Sequence, residues 1–305
     1  LLIESTGISE PLPVAETFTF RDEQGQSLAD LARLDTLVTV VDGVNFLPDF
    51  QAAQSLASRG ETLGEEDERS ITDLLIEQIE FADVLLISKI DLISRAEREE
   101  LSAILRRLNS RARILPMSMG AVPLDAILNT GLFDFERAAA SPGWLKELRG
   151  EHVPETEEYG IASSAYRARR PFHPQRFFDF LSREWSNGRL LRSKGFFWLA
   201  SKYQEAGSWS QAGGLMRHGL AGRWWRFVPK SQWPQDDDEL KGIIRQWDKA
   251  SGDCRQELVF IGQHIDFARL HAELDACLLS DAEMAAGTEA WLRLPDPFGP
   301  WQEAA

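Results

Sequence analysis

Two runs of apolar and β-branched residues constrain the fold of this chain more than any other feature. Residues 37–41 read LVTVV and residues 84–87 read VLLI, and neither run contains a charged side chain. Such runs are typical of strands buried on both faces, as in parallel sheets that are covered by helices. The sequence therefore predicts an α/β unit built on a parallel sheet, in which ligands bind at the carboxyl ends of the strands.

Shorter signals complete this first unit, which we assign to residues 1–130. Apolar segments at residues 1–4 and 114–115 predict two further strands, and helices are predicted over residues 95–108 and 124–128. In the longer helix, four apolar residues share one face: Leu101, Ile104, Leu105 and Leu108. The chain opens inside an apolar run without a methionine, so we expect further sequence upstream in the natural protein.

The rest of the chain has a different pattern. Proline, glycine and acidic residues predict a linker over residues 131–158. Consecutive strands between glycine-rich turns predict a smaller α+β domain over 159–290, with an antiparallel sheet and helices on one face, followed by a tail over 291–305. Candidate strands lie at residues 161–167, 190–200, 209–215, 224–228 and 256–261, and candidate helices at 174–185, 239–249 and 267–279.

Composition argues against several classes of function. The 33 Lys and Arg residues against 48 Asp and Glu residues give a net charge of −15, which disfavours a broad nucleic-acid-binding surface. No apolar run reaches the length of about 18 residues that a membrane span needs. The two cysteines cannot form a disulfide framework, so we expect a cytoplasmic protein in a reducing compartment.

The first candidate site is the segment Glu4-Ser5-Thr6-Gly7, which follows the first predicted strand. A carboxylate at this position can hold Mg²⁺ or orient a hydrolytic water, and a glycine lets the backbone approach a γ-phosphate. An ordinary turn after an N-terminal strand is the alternative. The pattern alone leaves both interpretations open.

The second candidate site is Ser88-Lys89-Ile90-Asp91, at the end of another predicted strand. In guanine-nucleotide proteins such an Asp accepts from guanine N1–H and the exocyclic amine together, whereas adenine has no matching donors. The Lys stem packs along the base. Ser88 stands where Asn is usual. A solvated Lys and an Asp that caps the next helix remain the alternative.

A third turn, around Ser118, follows the next strand; a small residue here often donates a backbone N–H to the base in nucleotide-binding folds. The order of the strand ends then becomes informative. The Glu4 turn, Asp42, the 88–91 loop and the Ser118 turn each follow successive predicted strands. That order is typical of the second half of a P-loop GTPase domain.

The sequence strings make this resemblance specific. ESTGISEPLPVAETF, LVTVVDGVNF and LLIEQIEFADVLLISKIDL resemble the CobW-type GTPases, the cobalamin-synthesis-like metallochaperones related to the nickel chaperones of urease and hydrogenase. SSAYRARRPFHPQRFFDFL, LLRSKGFFWLA, WSQAGG and GDCRQELVFIGQHID resemble the C-terminal domain of the same family. The resemblance runs from residue 1 to about residue 283.

The resemblance implies roles for individual residues. Glu4 matches the acidic Walker B position, linked to Mg²⁺ and the switch, and Gly7 matches the switch glycine. Lys89 and Asp91 match the guanine-reading loop, in which Ser88 takes the place of the usual Asn. Ser118 stays a candidate from the general pattern of nucleotide-binding folds. GTP and Mg²⁺ are therefore the implied cofactors, Zn²⁺ or Co²⁺ the implied cargo, and a client metalloprotein the implied partner.

Two motifs of the family are absent from this sequence: the Gly-rich phosphate loop ending Gly-Lys-Thr, and Cys-x-Cys-Cys. We therefore expect this chain not to hydrolyse GTP by itself. The missing lead strand would leave one side of the sheet unpaired, which favours self-association. Two functions follow: a GTP-dependent metallochaperone, or a non-catalytic scaffold whose C-terminal domain docks a client.

Two other groups of residues deserve comparison with these sites. His264, Asp266 and Cys254 would form a metal site only if the strand over 256–261 turned back on itself, and polar residues without a ligand are the preferred interpretation. The arginines over residues 167–176 form a basic cluster. An acidic client or the nucleotide could bind there, but pairing with this protein's own carboxylates is preferred.

Overall fold

The structure is a computed structural model that describes residues 2–5, 11, 15, 18, 28–49, 75–134, 159–212 and 215–301. The chain divides into two compact units. The first contains Leu1–Ala162 with Ala212–Leu215, and the second contains Ser163–Gln211 with Met216–Ala305. No helix among the described residues is long and apolar enough to cross a bilayer.

The first unit contains a parallel sheet of three strands, in the order β1 (Val38–Asp42), β2 (Val84–Ser88) and β3 (Arg113–Pro116). The central strand β2 is buried from Val84 to Ile87, as its continuous apolar run predicts. In this register, Asp42 pairs with Ser88, so β1 and β2 end side by side. The parallel α/β architecture predicted from the sequence is confirmed. The burial expected for the first apolar run is wrong, because β1 is an edge strand of the described sheet and its Val38 and Val40 are 37% and 56% exposed.

Helix α1 (Arg95–Leu108) connects β2 to β3 and has the predicted bounds. It begins at Ser94, whose hydroxyl accepts from the Glu97 N–H while the Glu97 carboxylate accepts from the Ser94 N–H. Its buried face contains the four predicted residues, Leu101, Ile104, Leu105 and Leu108. The chain after the helix is held by Asn109, whose buried amide donates to the carbonyls of Ile79, Glu80 and Ala82.

Two predictions for this unit are wrong. Residues 2–5 have no regular secondary structure, and Leu2 and Ile3 are 78% and 61% exposed, so the strand expected at residues 1–4 is not formed there. Apolar residues form a strand only when a neighbouring backbone pairs with them, and β1, β2 and β3 are the strands of this sheet in the described part of the chain. The helix expected over residues 124–128 is only a single 3-10 turn, Leu124–Ala126.

The second unit contains a five-stranded sheet in the order β4 (Ile161–Ala168), β8 (Gln256–Gln263), β5 (Arg189–Phe197), β6 (Glu205–Ala212) and β7 (Leu215–Arg223). Strands β5 and β8 pair antiparallel, with a bulge between Leu190 and Arg192. The described helices are α2 (Pro174–Ser182), α3 (Asp237–Arg245), α4 (Phe267–Cys277), α5 (Asp281–Ala285) and α6 (Thr288–Trp291). The predicted antiparallel α+β unit is confirmed.

Two strand predictions in this unit are wrong. The strand expected over 209–215 is not one element, because β6 ends at Ala212 and β7 begins at Leu215. The strand expected over 224–228 is a 3-10 turn, Trp225–Phe227. The Asp253 carboxylate accepts from the backbone N–H groups of Trp225 and Arg226, and these bonds stabilise the turn.

The core of this unit extends further along the chain than its sequence suggests. Phe177 and Phe197 are fully buried and pack with Phe298, which is 8% exposed although the sequence predicts only a tail there. Asp296 accepts a hydrogen bond from Ser201 and pairs with Lys202. Residues 291–301 are therefore part of the packed unit.

The basic cluster over residues 167–176 binds the protein's own acceptors, as preferred from the sequence. Arg176 makes a bidentate pair with Glu283, with nitrogen–oxygen distances of 2.9 and 2.8 Å. Arg170 donates to Asp281 and to the carbonyl of Leu279. These bonds attach the segment after α4 to the start of α2, and they give the cluster a structural role.

Candidate functional site

The carboxyl ends of the parallel strands bring the sequence-predicted polar residues together. Asp42 ends β1, Ser88 ends β2, and Ser118 lies just after β3. The two loops after β1 and β2 are joined, since the Ser88 hydroxyl donates to the Val41 carbonyl at 3.1 Å and Gly43 N–H donates to the Ser88 carbonyl at 3.2 Å. This edge of the sheet is the candidate site.

Gly43 is required by that close approach. A Cβ atom at residue 43 would lie 2.5 Å from the Ser88 carbonyl oxygen, which is a backbone atom and cannot easily move away. Glycine therefore lets the two loops contact each other through their backbones.

The 88–91 loop has a well-defined backbone conformation. Lys89 adopts the left-handed region, with φ 55° and ψ 33°, and a 3-10 turn follows over Ile90–Leu92. For a residue other than glycine this conformation costs about 1 kcal/mol. The Met117 N–H donates to the Ile87 carbonyl at 2.8 Å, which fixes the neighbouring turn beside the loop. Asp91 thus follows Lys89 on an exposed turn at the strand end.

Asp91 and Ser118 form a direct side-chain contact. The Ser118 hydroxyl donates to Asp91 Oδ1 at 2.8 Å. A carboxylate has about four lone-pair sites, so Asp91 keeps acceptor capacity on its exposed side. This geometry orients a carboxylate toward solvent, where it can accept from two adjacent N–H donors of a ligand. Ser118 contributes its hydroxyl here, whereas the sequence had suggested its backbone N–H.

Lys89 makes an ion pair that the sequence did not predict. Its Nζ lies 2.7 Å from Asp42 Oδ2, and the Lys89 and Asp42 side chains are 47% and 34% exposed. Burial raises the pKa of Asp42, but the hydrogen bonds from Lys89, Asn45 and Val44 outweigh that effect and lower the pKa below its ordinary value. The carboxylate is therefore charged at neutral pH, and it holds the ammonium at the edge of the sheet.

The structure thus unites four of the six predicted site residues: Ser88, Lys89, Asp91 and Ser118. Glu4 is exposed and makes no hydrogen bond or ion pair with any described residue, and Gly7 lies outside the described residues. A single exposed carboxylate does not fit a Mg²⁺ site, which normally combines carboxylates with other oxygen ligands in an octahedron. The predicted roles of these two residues stay predictions.

No group of three or more His, Cys, Asp or Glu side chains suited to a metal ion occurs in the described part of the chain. The hypothesis of a site at His264, Asp266 and Cys254 is wrong. Asp266 instead caps α4 by accepting from the Arg269 N–H, and burial raises the pKa of the Cys254 thiol to about 12. A buried, protonated thiol is a poor metal ligand.

A nucleotide-binding protein of the P-loop type is the class that this sheet edge and its loops fit, and comparison with known sequences agrees. Residues 1–116 match the family model of the CobW/HypB/UreG nucleotide-binding domain, and residues 161–278 match that of the cobalamin synthesis protein cobW C-terminal domain. The chain belongs to the CobW family, and the resemblance noted in the sequence is confirmed.

Curated relatives match nearly all of this chain. The "Zinc-regulated GTPase metalloprotein activator 1" of Dictyostelium discoideum is 45% identical over 301 residues, which cover 98% of this chain and 63% of that protein. The "Zinc chaperone Rv0106" of Mycobacterium tuberculosis is 29% identical over 275 residues, which cover 89% of this chain and 63% of that protein. The chain thus spans somewhat less than two thirds of the length of these relatives.

Among solved structures, the Zn(II)-bound YjiA GTPase from E. coli aligns with a TM-score of 0.32 and 18% identity, over 89% of this chain and 69% of that one. A superposition this loose adds nothing to the assignment, which rests on the family models and the local geometry.

Proposed function

We propose that this chain belongs to a GTP-dependent metallochaperone that couples GTP binding and hydrolysis to delivery of Zn²⁺ to a client metalloprotein. The observation that carries the proposal is the hydrogen bond between Ser118 and Asp91 at the ends of neighbouring parallel strands. The two relatives described above, a zinc-regulated GTPase metalloprotein activator and a zinc chaperone, support zinc over cobalt as the cargo.

Each residue of the site then has a defined task. Asp91 accepts from guanine N1–H and from the exocyclic amine, and Ser118 holds its carboxylate in place for both contacts. The stem of Lys89 lies along the base. Because adenine carries no donor at these two positions, the same carboxylate rejects ATP.

This chain supplies base recognition, and we propose that it does not hydrolyse GTP by itself. The sequence contains no Gly-Lys dipeptide, so it has no phosphate loop of the Gly-Lys-Ser/Thr type. Its two cysteines are far apart, so it also has no Cys-x-Cys-Cys motif for the cargo. We also propose that the protein binds a client metalloprotein and that the chain self-associates through the edge of β1.

The proposal is tested by titrating the chain with a fluorescent GTP analogue in Mg²⁺ and displacing the analogue with GTP or ATP. We expect GTP to displace it at a lower concentration than ATP. Asp91→Ala should abolish that preference, whereas Asp125→Ala, which removes another exposed carboxylate of the same unit, should preserve it.

A folded chain that binds neither nucleotide, or that binds both equally, would overturn the assignment of this loop. The scaffold function, in which the second unit docks a client without reading a nucleotide, would then be the better description. Circular dichroism on the same samples distinguishes that outcome from an unfolded protein.

A further inference from the structure

Asp42 is the residue at the candidate site whose side chain has the largest number of defined contacts. Its Oδ1 accepts from the backbone N–H groups of Val44 and Asn45, at 3.0 and 3.2 Å. Its Oδ2 accepts from Lys89 Nζ at 2.7 Å and from the Asn45 side-chain amide at 3.0 Å. One oxygen therefore stabilises the turn after β1, and the other contacts the base-reading loop.

We infer that Asp42 is a positioning residue for guanine binding, which acts by holding the Lys89 side chain against the edge of the sheet. The inference rests on the proposed function, since it assigns Lys89 to the nucleotide site. It adds a residue from a different strand, 47 positions away in the sequence, that sets where the Lys89 stem lies before the nucleotide arrives.

The physical argument starts from the freedom of a lysine side chain. Four rotatable bonds give an unpaired Lys many rotamers, and a ligand that packs along its stem must fix them on binding. The backbone of Lys89 is already fixed in the left-handed region by the loop. The Asp42 carboxylate fixes the other end, so the stem between these two points is ordered in advance.

The contacts of Asp42 also separate its two roles. Asn at this position can keep Oδ1 as the acceptor for Val44 and Asn45, because Asn forms the same kind of turn as Asp. Its amide would then face the Lys89 ammonium and the Asn45 amide, and donors do not bond donors. Asp42→Asn therefore removes the positioning contact and preserves the turn.

The nucleotide contacts of Asp91 and Lys89 can be measured separately. Inosine lacks the exocyclic amine of guanine, so the GTP-to-ITP affinity ratio reports the Asp91 contact. Packing of the Lys stem on the ring does not depend on that amine, so it contributes equally to both nucleotides. A change in positioning should lower both affinities and leave the ratio unchanged, whereas general disruption of the loop should lower the ratio.

The experiment measures GTP and ITP affinities of the chain and of its variants by displacement of a fluorescent GTP analogue. We expect Asp42→Asn and Lys89→Met each to lower the affinities for GTP and ITP about fivefold. This is the upper range of the effect of a partly exposed ion pair. The double variant, with both Asp42→Asn and Lys89→Met, should bind the two nucleotides no more weakly than Lys89→Met alone. Asn45→Ala, which removes only the second contact to Oδ2, should bind like the parent.

A second measurement does not depend on nucleotide. Side-chain NMR relaxation of Lys89 should show an ordered ammonium end in the parent chain and a mobile one in Asp42→Asn. Equal mobility in both would overturn the inference, and so would parent-like binding by Asp42→Asn or a collapse of its GTP-to-ITP ratio. A parent chain that does not prefer GTP over ITP would overturn the proposed function, and the inference with it.

Discussion

The Ser118 hydroxyl donates to Asp91 Oδ1 at 2.8 Å, although 27 residues separate the two in sequence. The contact exists because β2 and β3 are parallel neighbours whose carboxyl ends lie at the same edge of the sheet. The hydrogen bond from Ser118 fixes the direction of the Asp91 carboxylate, and a residue that reads a base requires such a fixed direction.

Loss of the Ser118 hydroxyl should weaken guanine binding. In Ser118→Ala, Asp91 loses one hydrogen bond, worth about 1 kcal/mol, and we expect an affinity for GTP about fivefold lower. Ser118→Thr keeps a hydroxyl and should retain most of the affinity. Equal affinities for GTP in the parent and in Ser118→Ala, measured by analogue displacement, would show that Asp91 does not need this contact.

The two cysteines should not react while the protein is folded. Cys254 is fully buried and Cys277 is 4% exposed, and burial raises the pKa of Cys254 to about 12 and that of Cys277 to about 11. At about pH 8 neither thiol is ionised to a useful extent, so a thiol-reactive dye should label the native chain only slowly.

In denaturant, the thiol-reactive dye should label both cysteines rapidly. Rapid labelling of the native chain would contradict the burial of Cys254 and Cys277.

The Arg176–Glu283 pair should contribute stability that depends on pH. Its hydrogen bonds, chiefly those from Arg176, lower the pKa of Glu283 from 4.5 to about 2. A carboxylate with a lowered pKa stabilises the fold above its unfolded-state value of 4.5, and this contribution is lost as pH falls from 4.5 toward 2.

Glu283→Gln should therefore lower the free energy of unfolding by about 1 kcal/mol at neutral pH, because the pair is partly exposed and screened by solvent. In urea denaturation at decreasing pH, the difference in the free energy of unfolding between parent and variant should shrink below pH 4.5. Glu289→Gln, which changes an exposed carboxylate of α6, is the matched control and should cause little change at any pH. A constant gap would assign the effect to packing instead.

Truncation of Phe298 should destabilise the second unit substantially. The centroid of its ring lies 5.9 Å from the ring centroid of Phe177, 5.5 Å from that of Phe178 and 6.1 Å from that of Phe197. Removal of a buried aromatic ring costs about 3 kcal/mol or more, so we expect Phe298→Ala to lower the denaturation midpoint clearly. Leu292→Ala removes a side chain that is 58% exposed, and it should cost much less. Similar small losses for both would show that residues 291–301 do not belong to the core.

Local sequence patterns predicted the elements whose burial is set within one segment. The run that became β2 is apolar and buried from Val84 to Ile87, and α1 has both its capping residues and its apolar face inside one stretch. The proposed guanine-reading loop also has a local signal, because Ser88 ends a buried strand and Lys89 and Asp91 come after it. For these features the local chemistry and the tertiary fold agree.

The errors arose where distant residues decide the structure. The turn at Trp225–Phe227 depends on the Asp253 carboxylate, which lies 28 and 27 positions from the N–H groups it accepts from. Residues 2–5 have the composition of a strand, but they are not among the strands of the described sheet. The Asp42–Lys89 pair links two loops 47 positions apart. Its only signal was an aspartate at the end of an apolar run, which does not identify a partner.

The most direct test of guanine reading by Asp91 exchanges one of its acceptors for a donor. Asp91→Asn should lose affinity for GTP and gain affinity for XTP, because xanthine has a carbonyl where guanine has the exocyclic amine, and the Asn amide can donate to it. We predict that GTP displaces a fluorescent GTP analogue from the parent chain better than XTP does, and that the order reverses when an XTP analogue is bound to Asp91→Asn. An unchanged preference for GTP over XTP in Asp91→Asn would contradict the assignment of this loop as the guanine-reading site.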